Sequence, residues 1–280
     1  MAYKTILTFL PTVARAERVL DVALPIAESH DAHIIGVHVM PDVMNILALT
    51  GGDIPVGMIE DQRRYLESEA EKIRAAFERR AGPGKARSEW RMAVDAVNDI
   101  TQQFINVSLC ADLIVTDQAA ADFTRGPSSL AARMVLGTAR PVLVVPSAGS
   151  FSTIGKRPIV AWNGDKEAAR AAFDAVPLMQ NAELVRILSV DPETGAGRDM
   201  LSLGDELAIC LARHGLKAET VVSRKPEVAI GDELLNRISD YGADLLVMGC
   251  YGHSRYRELF FGGATRDILD RMTVPVLMSH

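Results

Sequence analysis

Short apolar runs alternate along this chain with longer stretches whose apolar residues recur every three or four positions. Ile6 to Leu10, Ile34 to Val39, Ser88 to Met92 and Ala111 to Thr116 read as strands, and the longer spacing predicts helices from about Ala14 to Ser29, Met58 to Arg80 and Val97 to Leu109. In the first helix Val19, Leu20, Val22, Ala23, Ile26 and Ala27 form an apolar face suited to covering a sheet. The order returns further on: strands at 158 to 162, 183 to 189, 217 to 222 and 243 to 248 alternate with helices at 165 to 176, 199 to 214 and 229 to 241. Such alternation predicts parallel β-α-β units with right-handed crossovers.

The return is a repeat of sequence as well as pattern. Lys4 to Leu10 answers Arg157 to Asn163, Ala111 to Asp117 answers Ala243 to Gly249, and Arg140-Pro141-Val142-Leu143-Val144-Val145 answers Val274-Pro275-Val276-Leu277-Met278. The expected organisation is two copies of one domain, 1–146 and 158–280, joined by a small polar linker at 147–157. The fold class is α/β: two repeated doubly wound domains, each with an open five-stranded parallel sheet. Residues 41 to 57 form an apolar insertion without a counterpart of that length in the second copy, expected to be a short extra helix packed on its own domain.

Candidate chemistry concentrates after the 243 to 248 strand, in Gly249-Cys250-Tyr251-Gly252-His253 through Phe261-Gly262-Gly263-Ala264-Thr265, with a helix expected from Arg266 to Met272. Glycines let a backbone approach a ligand closely, and a helix start offers unpaired N–H groups and a positive dipole end to an anion. The same glycines also serve as turn punctuation. Beyond the carboxyl ends of parallel strands is where ligands sit in open α/β sheets.

The spacing Gly249, two residues, Gly252, nine residues, Gly262 resembles the nucleotide loop of the universal stress protein family, and the strands flanking it resemble that family's fourth and fifth. The resemblance covers nearly the whole chain. It implies an adenine nucleotide alpha hydrolase-like fold and a site for ATP, with Mg²⁺ as companion, formed by Gly249, Gly252, His253, Gly262, Gly263, Ala264 and Thr265. Ala161, Trp162, Asn163 and Val190 would hold the adenine and ribose end. Two departures stand out. Gly263 and Ala264 intervene before Thr265, where ATP-binding members place Ser or Thr, and Asn163 replaces their usual Asp. Asn163 could equally cap or turn the chain ahead of a helix, and Trp162 could pack in the core.

In the first copy Gly249 is answered by Asp117, Gly252 by Ala120, and Gly262 and Gly263 by Ser128 and Ser129, so nucleotide is expected in the second domain only. Single-domain family members commonly dimerise along the closing strand. The resemblance therefore implies an intramolecular pseudo-dimer of the two domains through Pro141 to Val145 and Pro275 to Met278, and leaves a homodimer open.

Charge and composition narrow the rest. A net charge of −6 and a pI near 5.6 give no field favouring nucleic acid, and no apolar run approaches a membrane span. Without a signal-peptide pattern the expected location is cytoplasmic. Cys110, Cys210 and Cys250 are too scattered for a zinc site, and Cys250 reads as an ordinary small residue. No P-loop and no carboxylate pair suggests catalysis, and His253 lacks an orienting partner, so no catalytic or metal-ligating residue is assigned. The leading expectation is a nucleotide-binding stress-response protein. The alternatives are an ATP-consuming hydrolase or transferase on the same scaffold, or an interaction module that no longer binds nucleotide.

Overall fold

The computed structural model describes residues 2–43, 56–95, 99–118, 130–190, 200–224, 226–250 and 263–280. The chain divides into two compact units, essentially Tyr3–Asp117 and Gln118–His280.

The first unit runs β1 (Thr5–Phe9), α1 (Val13–His30), β2 (His33–Pro41), α2 (Val56–Ala81), β3 (Arg87–Asp95), α3 (Ile100–Ser108) and β4 (Leu113–Asp117). Its strands lie in the order β3-β2-β1-β4, all parallel. The Thr12 hydroxyl accepts the Arg15 N–H and opens α1, and Asp31 closes it in the left-handed region at φ 48°. The apolar stripe read from the sequence is the buried face of α1: Val19, Leu20, Val22, Ala23, Ile26 and Ala27 are all buried.

The second unit contains α4 (Leu130–Thr138), β5 (Val142–Val145), β6 (Pro158–Ala161), α5 (Lys166–Asp174), β7 (Val185–Val190), α6 (Met200–Arg213), β8 (Ala218–Ser223), α7 (Ile230–Asp240), β9 (Leu245–Gly249), α8 (Gly263–Arg271) and β10 (Val276–Ser279). Its sheet order is β5-β10-β9-β6-β7-β8. Every pair is parallel except β5 with β10, which run antiparallel with Val144 opposite Val276 and Val142 opposite Met278. β5, the closing strand of the first repeat, is thus counted within this unit.

The order β3-β2-β1-β4 recurs as β8-β7-β6-β9, so the α/β class and the repeat read from the sequence are the architecture found. The chain leaves β6 toward β7 on one side, while β9 lies on the other, and the crevice between β6 and β9 is a topological switch point. One helix differs from expectation. α8 begins at Gly263, a turn before Arg266, with Thr265 already buried in it. Most of the 41 to 57 insertion lies outside the described residues, and α2 starts at Val56. No described helix is long and apolar enough to cross a membrane.

Candidate functional site

The carboxyl ends of β6, β7 and β9 carry the described part of the predicted site. Beyond Ala161, the Trp162 N–H donates to the Leu188 carbonyl at 2.8 Å and continues the β6–β7 ladder by one step. Asn163 then makes a local turn: its Oδ1 accepts the Asp165 N–H at 3.2 Å, and its Nδ2 donates to Asp165 Oδ2 at 3.0 Å. The turn is completed by Gly164 at φ +73°, where a side chain would be strained, and by Asp165 as the residue before α5. Of the two roles open to Asn163, this is turn formation.

Registered residues of parallel strands share a face of the sheet. Ile187 is opposite Thr220, and Ser189 opposite Val222. Thr220 faces α6, where its hydroxyl donates to Asp205 at 2.8 Å and a Cβ on Gly204 would lie 3.0 Å from its methyl. Ser189, two residues from Ile187, faces the same way, and so does Trp162, whose indole Cδ1 is 3.9 Å from that Gly204 position. Trp162 is half-buried on this face. Its indole Nε1 is nevertheless buried without a hydrogen-bond partner, and so is the Oγ of Ser189, which is 2% exposed.

Gly249 ends β9 on this same face. A Cβ there would lie 2.4 Å from the Ala168 amide nitrogen and 2.5 Å from the Glu167 carbonyl carbon, so glycine is what lets the first turn of α5 seat on the strand end. Glu167 is only 5% exposed. Its Oε1 lies 3.5 Å from the exposed Lys166 ammonium, and its Oε2 is buried without a partner.

Past Gly249, Cys250 donates its N–H to the Ser279 carbonyl at 2.9 Å, and its own carbonyl contacts His280 Nδ1 at 2.9 Å. The thiol is fully buried. Burial pushes it far above the ordinary thiol range, and the Thr265 hydroxyl bonded to it opposes this only in part, so Cys250 behaves as the small core residue expected. Thr265 is thereby committed to the core. Gly263, by contrast, is exposed at the start of α8, with open space where a side chain would stand, and Ala264 is half-buried. Val190 is half-buried opposite Ser223. Gly252, His253 and Gly262 lie outside the described residues.

Strand register makes the first repeat's counterparts explicit. Ile6 pairs with Leu113 as Pro158 pairs with Leu245, so Leu10 answers Trp162 and Asp117 answers Gly249. Likewise the Leu10 N–H meets the Val37 carbonyl as that of Trp162 meets Leu188, so His38 answers Ser189. Asp117 is buried and held by the Arg15 guanidinium through both oxygens, with Nη2 to Oδ1 at 2.6 Å. His38 contacts the Leu10 carbonyl through Nδ1 at 2.9 Å. One hydroxyl at this edge, Thr116 Oγ1, is buried without a partner.

Sequence reasoning passed over Glu167 and Ser189. The signals available were a polar residue inside the apolar run 185 to 190, and the exchange of Asp117 for Gly249 between the repeats.

The sequence profile of the Universal stress protein family matches residues 156–280. A universal stress protein of Synechocystis sp. is 28% identical over 147 residues, 52% of this chain and 48% of that protein, so the chain spans about half the length of the curated relative it matches. Among solved structures, a universal stress protein from Archaeoglobus fulgidus superposes with a TM-score of 0.75 at 17% identity, covering 98% of this chain and 95% of that one. A functionally unknown protein from Pseudomonas aeruginosa gives a TM-score of 0.59 at 14% identity, covering 99% and 92%. At these identities the structural likeness speaks for the fold.

Proposed function

We propose that this chain, a member of the universal stress protein family through residues 156–280, is a cytoplasmic stress-response or regulatory protein whose second repeat binds ATP or a related adenine nucleotide. The observation carrying the reading is the set of buried polar atoms without partners among the described residues at one sheet edge: Trp162 Nε1, Ser189 Oγ and Glu167 Oε2. Buried polar groups are normally satisfied, and each orphan costs about 1–3 kcal/mol. A ligand presenting both donors and acceptors offsets that cost.

The phosphates would lie against the N–H groups around Gly252 and Gly262 to Thr265, where the open flank of Gly263 and the start of α8 favour an anion. The adenosine end would meet Ala161, Trp162 and Val190, with Asn163 shaping the turn beside it. Mg²⁺ is the expected companion of the phosphates. The reading assigns binding to the site and no chemical step. The antiparallel β5–β10 ladder supports the expected pairing of the two closing strands.

Calorimetric titration with ATP, alongside native mass spectrometry of the purified chain, tests this. One nucleotide per chain is expected, retained by Asp117→Gly and lost in Gly252→Val. Absence of heat from the wild type, or equal binding by Gly252→Val, overturns it. The second reading, an interaction module without nucleotide, is favoured by the structural duties found for Gly249 and Asn163, and those outcomes would establish it.

A further inference from the structure

We propose that β3 is the contact strand of a symmetric homodimer: the β3 edges of two copies of this chain pair antiparallel about a two-fold axis at Trp90, so that Glu89 of each copy meets the partner's Arg91. The closing strands β5 and β10 are already paired within the chain, so this is a different surface, and it stands independently of the nucleotide reading.

Two strands, β3 and β8, carry no neighbouring strand on their outer side among the described residues. An open edge offers a row of unpaired N–H and C=O groups, and proteins blunt such edges by keeping them short, charged or covered. β8 is blunted: it is six residues long, and Glu219, the one exposed residue in it, is ion-paired with Arg186. β3 is nine residues long, and none of residues 87–94 is buried. Its register with β2 places Trp90 opposite Gly36, on the face where Phe77 of α2 packs, with the Phe77 and Trp90 rings 5.7 Å apart. Met92 and Val94 follow on that face and are 52% and 44% exposed, so α2 covers the strand at Trp90 and leaves its carboxyl half open. The other face carries Arg87, Glu89 and Arg91, with Glu89 bonded to Arg91 along the strand and in contact with His33 on β2.

Charge selects a second copy as the occupant of this edge and fixes the register. A two-fold axis normal to the sheet sets identical strands antiparallel, and residues directly opposite one another share a face. Centred on Trp90, the pairing puts Glu89 opposite the partner's Arg91 and Arg91 opposite the partner's Glu89, while Arg87 meets the partner's Ala93. Centred one residue earlier, it would set Glu89 against the partner's Glu89; centred one residue later, Arg91 against the partner's Arg91. Like charges directly opposite destabilise a ladder, so the Trp90 register is preferred to both neighbours. On the α2 face the same register sets Trp90 opposite the partner's Trp90, and Met92 opposite the partner's Ser88 and diagonal to the partner's Trp90, within reach of a sulfur–aromatic contact. The charges and the exposed apolar groups of β3 are thus answered by the strand's own sequence. Such self-complementarity is what a two-fold interface requires, and an edge shaped for a foreign peptide has no need of it.

Sedimentation equilibrium of the full chain, from micromolar to submillimolar concentration and at low and high salt, tests the pairing, with far-UV circular dichroism checking that each variant is folded. The wild type is expected to reach twice the mass of one chain, with a dissociation constant that rises with salt. Glu89→Arg makes both central charges positive and Arg91→Glu makes both negative, so each variant alone should dimerise about tenfold more weakly or worse. Mixed one to one, the two variants should regain the dimer as a heterodimer, because each opposed central pair then carries opposite signs. A wild type that stays at the mass of one chain overturns the proposal and leaves β3 as an edge for a foreign strand. A dimer that both single variants keep at full strength also overturns it, since the contact then runs through another surface. A mixture that gains nothing over either variant alone overturns the pairing of Glu89 with the partner's Arg91, and with it the proposed interface.

Discussion

At the carboxyl end of β4 the strand closes on Asp117, buried and clasped by Arg15, whereas at the carboxyl end of β9 the same position is Gly249, against which the first turn of α5 with the buried Glu167 is seated. His38 in the first repeat finds the Leu10 carbonyl; its counterpart Ser189 finds nothing. One sheet order has thus been finished in two ways. In the first repeat a strand end is closed by internal polar pairs. In the second the strand end is closed sterically, by seating α5 on a glycine, and three polar atoms are left over. The contrast teaches that where Asp117 answers Gly249 the strand end is closed by a bonded pair, because Asp117 and Arg15 satisfy one another there.

The sharpest way to break this comparison is at Gly249. Gly249→Val brings side-chain atoms against the backbone of α5, which cannot yield as a flexible side chain can, so we expect a loss of about 3 kcal/mol in urea unfolding. Gly263→Ala points into open space at a helix start and should leave stability within about 0.5 kcal/mol. If Gly249→Val unfolds like the wild type, α5 does not rest on the strand end as described, and Gly249 returns to being a ligand-approach glycine.

The next effect tests the polar plug. Arg15→Ala leaves the Asp117 carboxylate buried without its partner, and we expect about 2 kcal/mol of destabilisation, the arginine being partly exposed. Replacing both residues together, Arg15→Leu with Asp117→Leu, should cost far less than the sum of the single changes, measured as a double-mutant cycle. Additive losses would mean that the two side chains act independently and that the plug is only a crystal-like proximity of charges.

Much of the fold was legible because its causes are local. The 3.6-residue spacing of Val19, Leu20, Ala23, Ile26 and Ala27 is the buried face of α1, and the matched Pro141 and Pro275 mark closing strands that do pair with each other. The site was legible only where it is a local motif. Asn163 was recognisable as a turn former because its partner is two residues away, whereas Arg15 and Asp117 are separated by 102 residues. Gly249 showed as a glycine, but its purpose depends on a helix that lies some eighty positions earlier in the chain, and nothing near it in sequence reveals that. Glu167 escaped for a related reason: an acid in the first turn of a helix is ordinary, and only its burial makes it unusual.

The smallest expected effect concerns pH and separates His38 from Ser189. Burial holds the His38 imidazole below its ordinary value of 6.5, opposed in part by its hydrogen bond to the Leu10 carbonyl. The unfolded chain therefore takes up this proton at higher pH than the folded one, and the neutral ring's contribution to stability is complete above about 6.5 and lost as pH falls toward the lowered folded value. His30, lowered by burial and by the nearby Lys4 and N-terminal charges, adds to the loss in the same direction. Glu233, lowered by its bonds from Ser223 and Arg237, contributes stability that fades only as pH drops below about 4.5, outside this window. Urea unfolding between pH 7.5 and 5.5 should then show the wild type weakening with acid and a His38→Gln variant weakening less, with His30 accounting for the remaining slope. Equal slopes in the two proteins would show that the His38 ring accepts a proton without cost, and that the first repeat's edge is less tightly closed than its bonds to Leu10 and Arg15 indicate.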